Sequence, residues 1–204
     1  MSVLPRARVA PRRAAIRCVP ATASRWPDVE RLFGEHGACA GCWCMWPRLS
    51  AAEFRKGRGA GNRRALKSLV VRGTRPGILA YRGRAPVGWC AVAPRETYRR
   101  LARSRVMAPV DERRAWSVVC FFVAREERRA GVSAALLQAA VDHAARRGAA
   151  IVEGYPLDPS TKRVADAFAW FGLKSSFRRV GFTEVARRTK SRPIMRCEVG
   201  RGVK

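Results

Sequence analysis

Trp116-Ser-Val-Val-Cys-Phe-Phe-Val123 is the most apolar run of the chain and the segment that most limits its fold. It is too short for a membrane helix, and its β-branched and aromatic residues suit a strand buried on both faces. A turn over Ala124 to Ala130 leads into Val132 to Arg147, where Val132, Leu136, Ala139, Ala140 and His143 share one helical face and Gly148 follows as the C-cap. Ala150-Ile-Val-Glu-Gly-Tyr155 then reads as a second strand. Strand, turn, helix and strand in this order imply a right-handed βαβ crossover, and therefore a parallel strand pair at the centre of the sheet.

The flanks predict antiparallel structure. Ile16 to Val19 is a short strand, and Pro27 to Gly37 carries Val29, Leu32 and Phe33 at helical spacing. Ser50-Ala-Ala-Glu53 has the pattern of a capping box opening a helix, which glycines at 57, 59 and 61 interrupt before Arg63 to Arg72 resumes it. Gly77 to Tyr81 and Val87 to Ala93 read as strands joined by a hairpin over Arg82 to Pro86. Glu96 to Arg105 reads as a polar helix, Lys162 to Val180 as another, and Phe182 to Ala186 and Ile194 to Val199 as closing strands. The expectation is one α/β domain over residues 16–199 with a mixed, mostly antiparallel sheet and helices on both faces. Residues 1–15 read as a disordered basic arm or an over-long start, and 200–204 as a tail.

The formal charge of +27, from 42 basic against 15 acidic residues, raises the question of nucleic acid. Lysine occurs only at 56, 67, 162, 174, 190 and 204, so the charge is nearly all arginine, spread along the chain among Ala, Gly and Pro. That distribution favours a solvated arginine-studded surface over a dedicated polyanion face. No apolar run reaches the roughly 18 residues of a membrane span. The start lacks a secretory h-region. Seven cysteines, an odd number, include Cys90 and Cys120 inside apolar runs, which fits reduced thiols and a cytoplasmic protein better than a disulfide framework.

The informative piece for chemistry is Val123 to Ala134, where a buried strand passes through a basic, Gly-containing turn into a helix. Unpaired amides at such a helix start, with the positive end of the dipole, suit a phosphate or pyrophosphate. Neither the Gly-Lys-Ser/Thr phosphate loop nor GxGxxG is present, which argues against an NTPase or a Rossmann dehydrogenase. The plain alternative is a tightly packed βα turn.

Arg128-Arg-Ala-Gly131-Val-Ser133 resembles the Q/R-x-x-G-x-G/A acyl-CoA motif of the GNAT superfamily of N-acetyltransferases, and Phe177-Arg-Arg-Val-Gly181-Phe182 resembles that superfamily's C-terminal Y-x-x-x-G-F segment. The resemblance implies a single GNAT-like domain that uses acetyl-CoA as co-substrate. Arg128, Arg129, Ala130, Gly131, Val132 and Ser133 would supply amides to the CoA pyrophosphate. Phe121, Phe122 and Val123 would give backbone hydrogen bonds to the pantetheine arm at a splay between the two central strands. Two departures stand out: Ser133 replaces a Gly or Ala, and Phe177 replaces a Tyr that many members use to protonate the departing thiolate.

Transfer of an acetyl group to a primary amine by direct attack requires positioning, removal of the ammonium proton and a polarised carbonyl. Glu153 and Tyr155 lie two apart on the strand after the cofactor helix, so they share a face. Glu153 is the candidate general base, directly or through water, and Tyr155 the replacement acid. A surface carboxylate and a core aromatic are the structural alternative. Asp158 is a weaker candidate, and His143 reads as a helix residue rather than a catalyst.

CAGCWCMWPR, residues 39–48, follows His36 and offers four soft ligands in nine residues. Structural zinc usually draws two ligand pairs from separate loops, and no second pair exists here, so free thiols are favoured over zinc or a Cys39–Cys42 disulfide. In the resembling family this segment lines the acceptor side of the cleft. Cys42, Trp43, Cys44 and Trp46 are thus the expected substrate wall, with a core plug under the loop as the alternative. The acceptor is an unidentified amine, with no specific nucleic acid or membrane partner and a monomer or homodimer as the assembly. The rival readings are a non-catalytic acyl-CoA sensor and an arginine-rich nucleic-acid binder.

Overall fold

The computed structural model describes residues 14–159 and 170–199. The chain order is β1 (Ile16–Pro20), α1 (Trp26–Phe33), α2 (Ala51–Lys56), α3 (Ala60–Val71), β2 (Gly77–Arg82), β3 (Ala85–Pro94), α4 (Arg99–Ala102), β4 (Trp116–Val123), α5 (Val132–Arg146), β5 (Ile151–Gly154), α6 (Lys174–Arg179), β6 (Thr183–Thr189) and β7 (Arg192–Glu198). Among the described residues these strands form one seven-stranded sheet, ordered β1-β2-β3-β4-β5-β7-β6. Only β4 and β5 run parallel. This is the mostly antiparallel α/β domain expected from the sequence.

The centre of the sheet positions everything that follows. β4 pairs with β5 through just three residues: Trp116 with Val152, Ser117 with Glu153, and Val118 with Gly154. Beyond Val118, β4 stays bonded to β3 as far as Val123, while β5 ends at Gly154, so the sheet parts into a cleft. At the same level β4 carries a bulge. Val118 faces Val92 and Cys120 faces Ala91, leaving Val119 as the extra residue. Val119 and Cys120 consequently pack on the same side.

The sheet separates two cores. Trp89, Ala91 and Ala93 of β3 join Trp26, Val29, Phe33, Leu66 and Tyr155 on the α1 and α3 side. Cys90 and Val92 join Val118, Leu136, Leu137, Ala140 and Phe177 on the α5 side. This alternation is the period of two that places successive side chains on opposite faces.

The capping box at Ser50 forms in full, with the Glu53 amide bonded to the Ser50 hydroxyl and the Glu53 carboxylate returning to the Ser50 amide. Three expectations are corrected. The helix expected over Glu96 to Arg105 is a 3-10 turn at Arg95–Thr97 followed by the single turn of α4, because the buried Tyr98 between them leaves helical geometry (φ −104°, ψ 86°). The helix expected over Lys162 to Val180 does not run through Gly172, whose φ of 83° is incompatible with it; Leu173 instead bridges to Leu157, and α6 begins at Lys174. The first helix ends at Phe33 rather than Gly37. The part of the second expectation on residues 162–169, and the N-terminal arm up to residue 13, lie outside the described residues. Among the described residues no helix is long and apolar enough to cross a membrane.

Candidate active site

The turn from β4 into α5 is fixed from outside. Ala124 donates its amide to Val87 on β3 at 3.0 Å, and Glu127 is clamped by Arg82 of β2 at 2.9 Å, both side chains largely buried. The chain then enters the left-handed region at Arg129 (φ 61°) and at Gly131 (φ 81°), and Gly131 is the N-cap of α5. The first helical bond runs from the Ala135 amide to the Gly131 carbonyl. The amides of Val132, Ser133 and Ala134 precede it and have no carbonyl within the helix to bond. No side chain caps this end. Arg128 and Arg129 are exposed beside it.

On the α1 side of the sheet, at the base of the cleft, lies a buried polar cluster. Glu153 is 2% exposed and Arg196 6%. Arg196 holds Oε1 of Glu153 at 2.7 Å and Asp111 at 2.7 Å, while Arg95 lies 3.8 Å from Oε2. The Tyr155 hydroxyl donates to Glu153 Oε2 at 3.3 Å, lies 3.0 Å from Ser117 Oγ, and accepts a hydrogen bond from Arg95 Nη1. Burial pushes the Tyr155 hydroxyl well above its ordinary pKa, against the pull of Arg95 and with the help of the neighbouring Glu153. The phenol therefore holds its proton. Glu153 and Tyr155 do share a face, and their side chains meet. Arg95, Arg196 and Ser117, which complete the cluster, had no local sequence signal, since they come from the turn after β3, from β7 and from β4.

A protein-family model for the GNAT family of acetyltransferases matches residues 43–156, from the cysteine loop through β4, α5 and β5 to Pro156. The chain belongs to the GNAT acetyltransferase family. Solved structures agree in fold. One is an acetyltransferase of the GNAT family from Desulfovibrio desulfuricans, at 15% identity and a TM-score of 0.51, covering 91% of this chain and 100% of that one. The PaiA N-acetyltransferase from Thermoplasma acidophilum, solved in complex with coenzyme A, gives 12% identity and 0.52 over 91% and 99%. YncA from Salmonella typhimurium, solved with acetyl-CoA, gives 12% and 0.52 over 93% and 97%. No curated protein matches the chain in sequence.

In this GNAT chain Phe177 is fully buried. Its ring meets Phe121 edge-on at 6.1 Å and Phe182 at 5.0 Å. It also lies so close to Gly154 that a Cβ there would fall 2.0 Å from the ring. Phe177 thus fills space beside the end of β5. Of the three cleft residues on β4, Phe121 and Val123 pack toward α5 and Phe122 toward α1.

The cysteine loop is dominated by packing. Trp43 and Cys44 are each 3% exposed, and Trp43 sits 6.1 Å from Trp26 and 5.5 Å from Phe33. Cys44 accepts a hydrogen bond from Trp89 Nε1 at 3.2 Å. The Cys120 thiol on the β4 bulge also donates to it, and these donors hold the Cys44 thiol below its ordinary value despite burial. Cys42 is half-buried, its thiol pushed up to about 11 by burial. Trp46 borders a cavity beside α4. All seven cysteines are free. Among the described residues no group of three or more His, Cys, Asp or Glu side chains is placed to hold a metal. His143 is buried, with Nε2 lacking a partner. Asp158 is held by Lys174 and Arg187.

Proposed function

We propose that this GNAT protein is an N-acetyltransferase that transfers the acetyl group of acetyl-CoA to a primary amine within a ternary complex. The observation that carries the reading is the parting of β4 from β5 after three residue pairs, between a helix start with open amides and a buried acid–phenol cluster. The pyrophosphate would rest on the amides of residues 128–133, with Gly131 and the exposed Arg128 and Arg129 beside it. The pantetheine arm would bond the backbone of Phe121, Phe122 and Val123, which β5 leaves unpaired.

The neutral amine attacks the thioester carbonyl, the new C–N bond forms, and the C–S bond breaks as the tetrahedral adduct collapses. Glu153 accepts the proton from the nitrogen, directly or through water. Tyr155 gives its proton to the departing thiolate in the role that Phe177 cannot fill. The Tyr155–Glu153 hydrogen bond then returns the proton to the phenol, so the site ends as it began. Arg95 and Arg196 hold Glu153 in place, and its burial suits a water between it and the amine.

Titration calorimetry with acetyl-CoA, followed by thiol release over an amine library, tests the reading. Saturable binding with turnover of at least one amine is the expected result, and absence of acetyl-CoA binding overturns it. The buried, hydroxyl-free Phe177 gives substance to the second reading, an acyl-CoA sensor, whose signature is tight binding without turnover on any amine.

A further inference from the structure

A cavity of 280 Å³ opens beside the cysteine loop, bounded by Trp46 and Leu49 on one side and by Arg99, Arg100, Arg103 and Met107 of the α4 segment on the other. No acidic side chain lines it. Arg99 is taken by Glu53 at 2.7 Å. The Arg100 guanidinium carbon lies over the Trp46 ring, 4.4 Å from its centroid, and its Nε is buried without a hydrogen-bond partner. Arg103 is exposed at the rim. Burial and the facing Arg55 push Arg100 below its ordinary value, so its charge is held against both desolvation and repulsion. A guanidinium in that position presents a planar fork that matches an oxyanion, and pairing would relieve a desolvated donor.

Two chains of packed side chains link the wall of the cavity to the acid–phenol cluster. Trp46 meets Trp170 at 5.0 Å, Trp170 meets Phe171 at 4.3 Å, and Phe171 meets Tyr155 at 6.4 Å. Met107 accepts a hydrogen bond from Arg95 Nη2 at 2.6 Å, and the other arm of Arg95 reaches the Tyr155 hydroxyl. The volume suits a small group rather than a polymer.

We propose that this cavity selects the acceptor: a small amine whose other end is an oxyanion, a carboxylate or a phosphate, held by Arg100 and Arg103 with an apolar or aromatic body against Trp46. The proposal rests on the acetyltransferase reading for the word acceptor, but the oxyanion site is testable apart from it.

The experiment is calorimetry on the full chain with CoA present, using matched probes. Indole-3-acetate is set against indole-3-acetamide, and phenyl phosphate against phenol. At least one anion should bind about tenfold tighter than its neutral partner, the size of one charge-assisted hydrogen bond, and the better anion names the oxyanion. Arg100→Ala should erase the preference and Arg100→Lys restore part of it. Arg31→Ala, which removes an equal charge from a side chain 66% exposed on α1, should leave it intact. Equal binding of anion and neutral probe, no binding of either anion, or an equal loss in Arg31→Ala overturns the proposal. Separate titration of acetyl-CoA keeps the two readings apart: its failure sinks the transferase while the anion preference stands or falls alone.

Discussion

The turn over residues 124–131 and the loop over residues 34–50 both leave ordinary backbone geometry, yet for opposite reasons. The turn has left-handed residues at Arg129 and Gly131, and both are exposed. It is anchored through Ala124 and Glu127, so what it offers is backbone. The loop has four non-glycine residues at positive φ, Ala38, Ala40, Trp43 and Cys44, and buries two of them. Left-handed geometry costs an ordinary residue on the order of 1 kcal/mol or more. In the loop, burial of an indole and a thiol offsets that cost; in the turn, Gly131 avoids it and Arg129 carries it in the open. An irregular backbone is therefore a poor guide to function until one asks which atoms it exposes.

That contrast can be broken by experiment. Trp43→Ala should cost about 3–5 kcal/mol in chemical denaturation, as large aromatic deletions in cores do, with acetyl-CoA affinity of the remaining folded protein little changed. A small stability loss with a large affinity loss would make the loop a binding element like the turn. Glu153→Gln, in the cluster between the two regions, should lower kcat about 10²- to 10⁴-fold while leaving the dissociation constant for acetyl-CoA unchanged. A change confined to melting temperature would reduce Glu153 to a buried ion-pair partner.

The far end of α5 supplies a pH test that the turn end lacks. Burial, with Arg147, Arg146 and Arg75 nearby, pulls His143 down from 6.5 to about 4. The unfolded chain thus binds a proton that the folded one refuses, so stability should fall as pH drops from about 6.5 to about 4, by on the order of 3 kcal/mol, and level off below. His143→Gln should flatten that limb in pH-dependent denaturation, and an unchanged limb would show that other groups carry it. The smallest effect is expected at Gly131→Ala. A Cβ there meets nothing within 4 Å, so the only cost is the positive φ, about 1–2 kcal/mol. The loss should appear both in stability and as weaker acetyl-CoA binding, and a silent variant would mean that the turn needs no left-handed residue.

The legible parts of the fold were those written in local pattern: the apolar run of β4, the amphipathic stripe of α5, the capping box at Ser50 and the β2–β3 hairpin. The bulge at Val119 was not, because one extra residue in a run of valines and phenylalanines leaves no break in periodicity. Gly172 ended an expected helix through a tertiary bridge that local propensity cannot foresee. At the site, Glu153 and Tyr155 could be paired by alternation alone, whereas Arg95 and Arg196, which bond to them, come from a turn and a strand far away in sequence. The spacing of Cys42, Trp43, Cys44 and Trp46 could not separate wall from plug, since alternate burial in an irregular loop has no period to read.

The short β4–β5 join has a mechanical consequence. Three residue pairs sew a ribbon of four strands to a ribbon of three, and past Val118 the seam is open. A molecule lying along that opening and bonding the bare edge of β4 takes the place of a missing strand. On the reading proposed, acetyl-CoA is then a fastener as much as a reagent, and each turnover unpicks and resews the middle of the sheet.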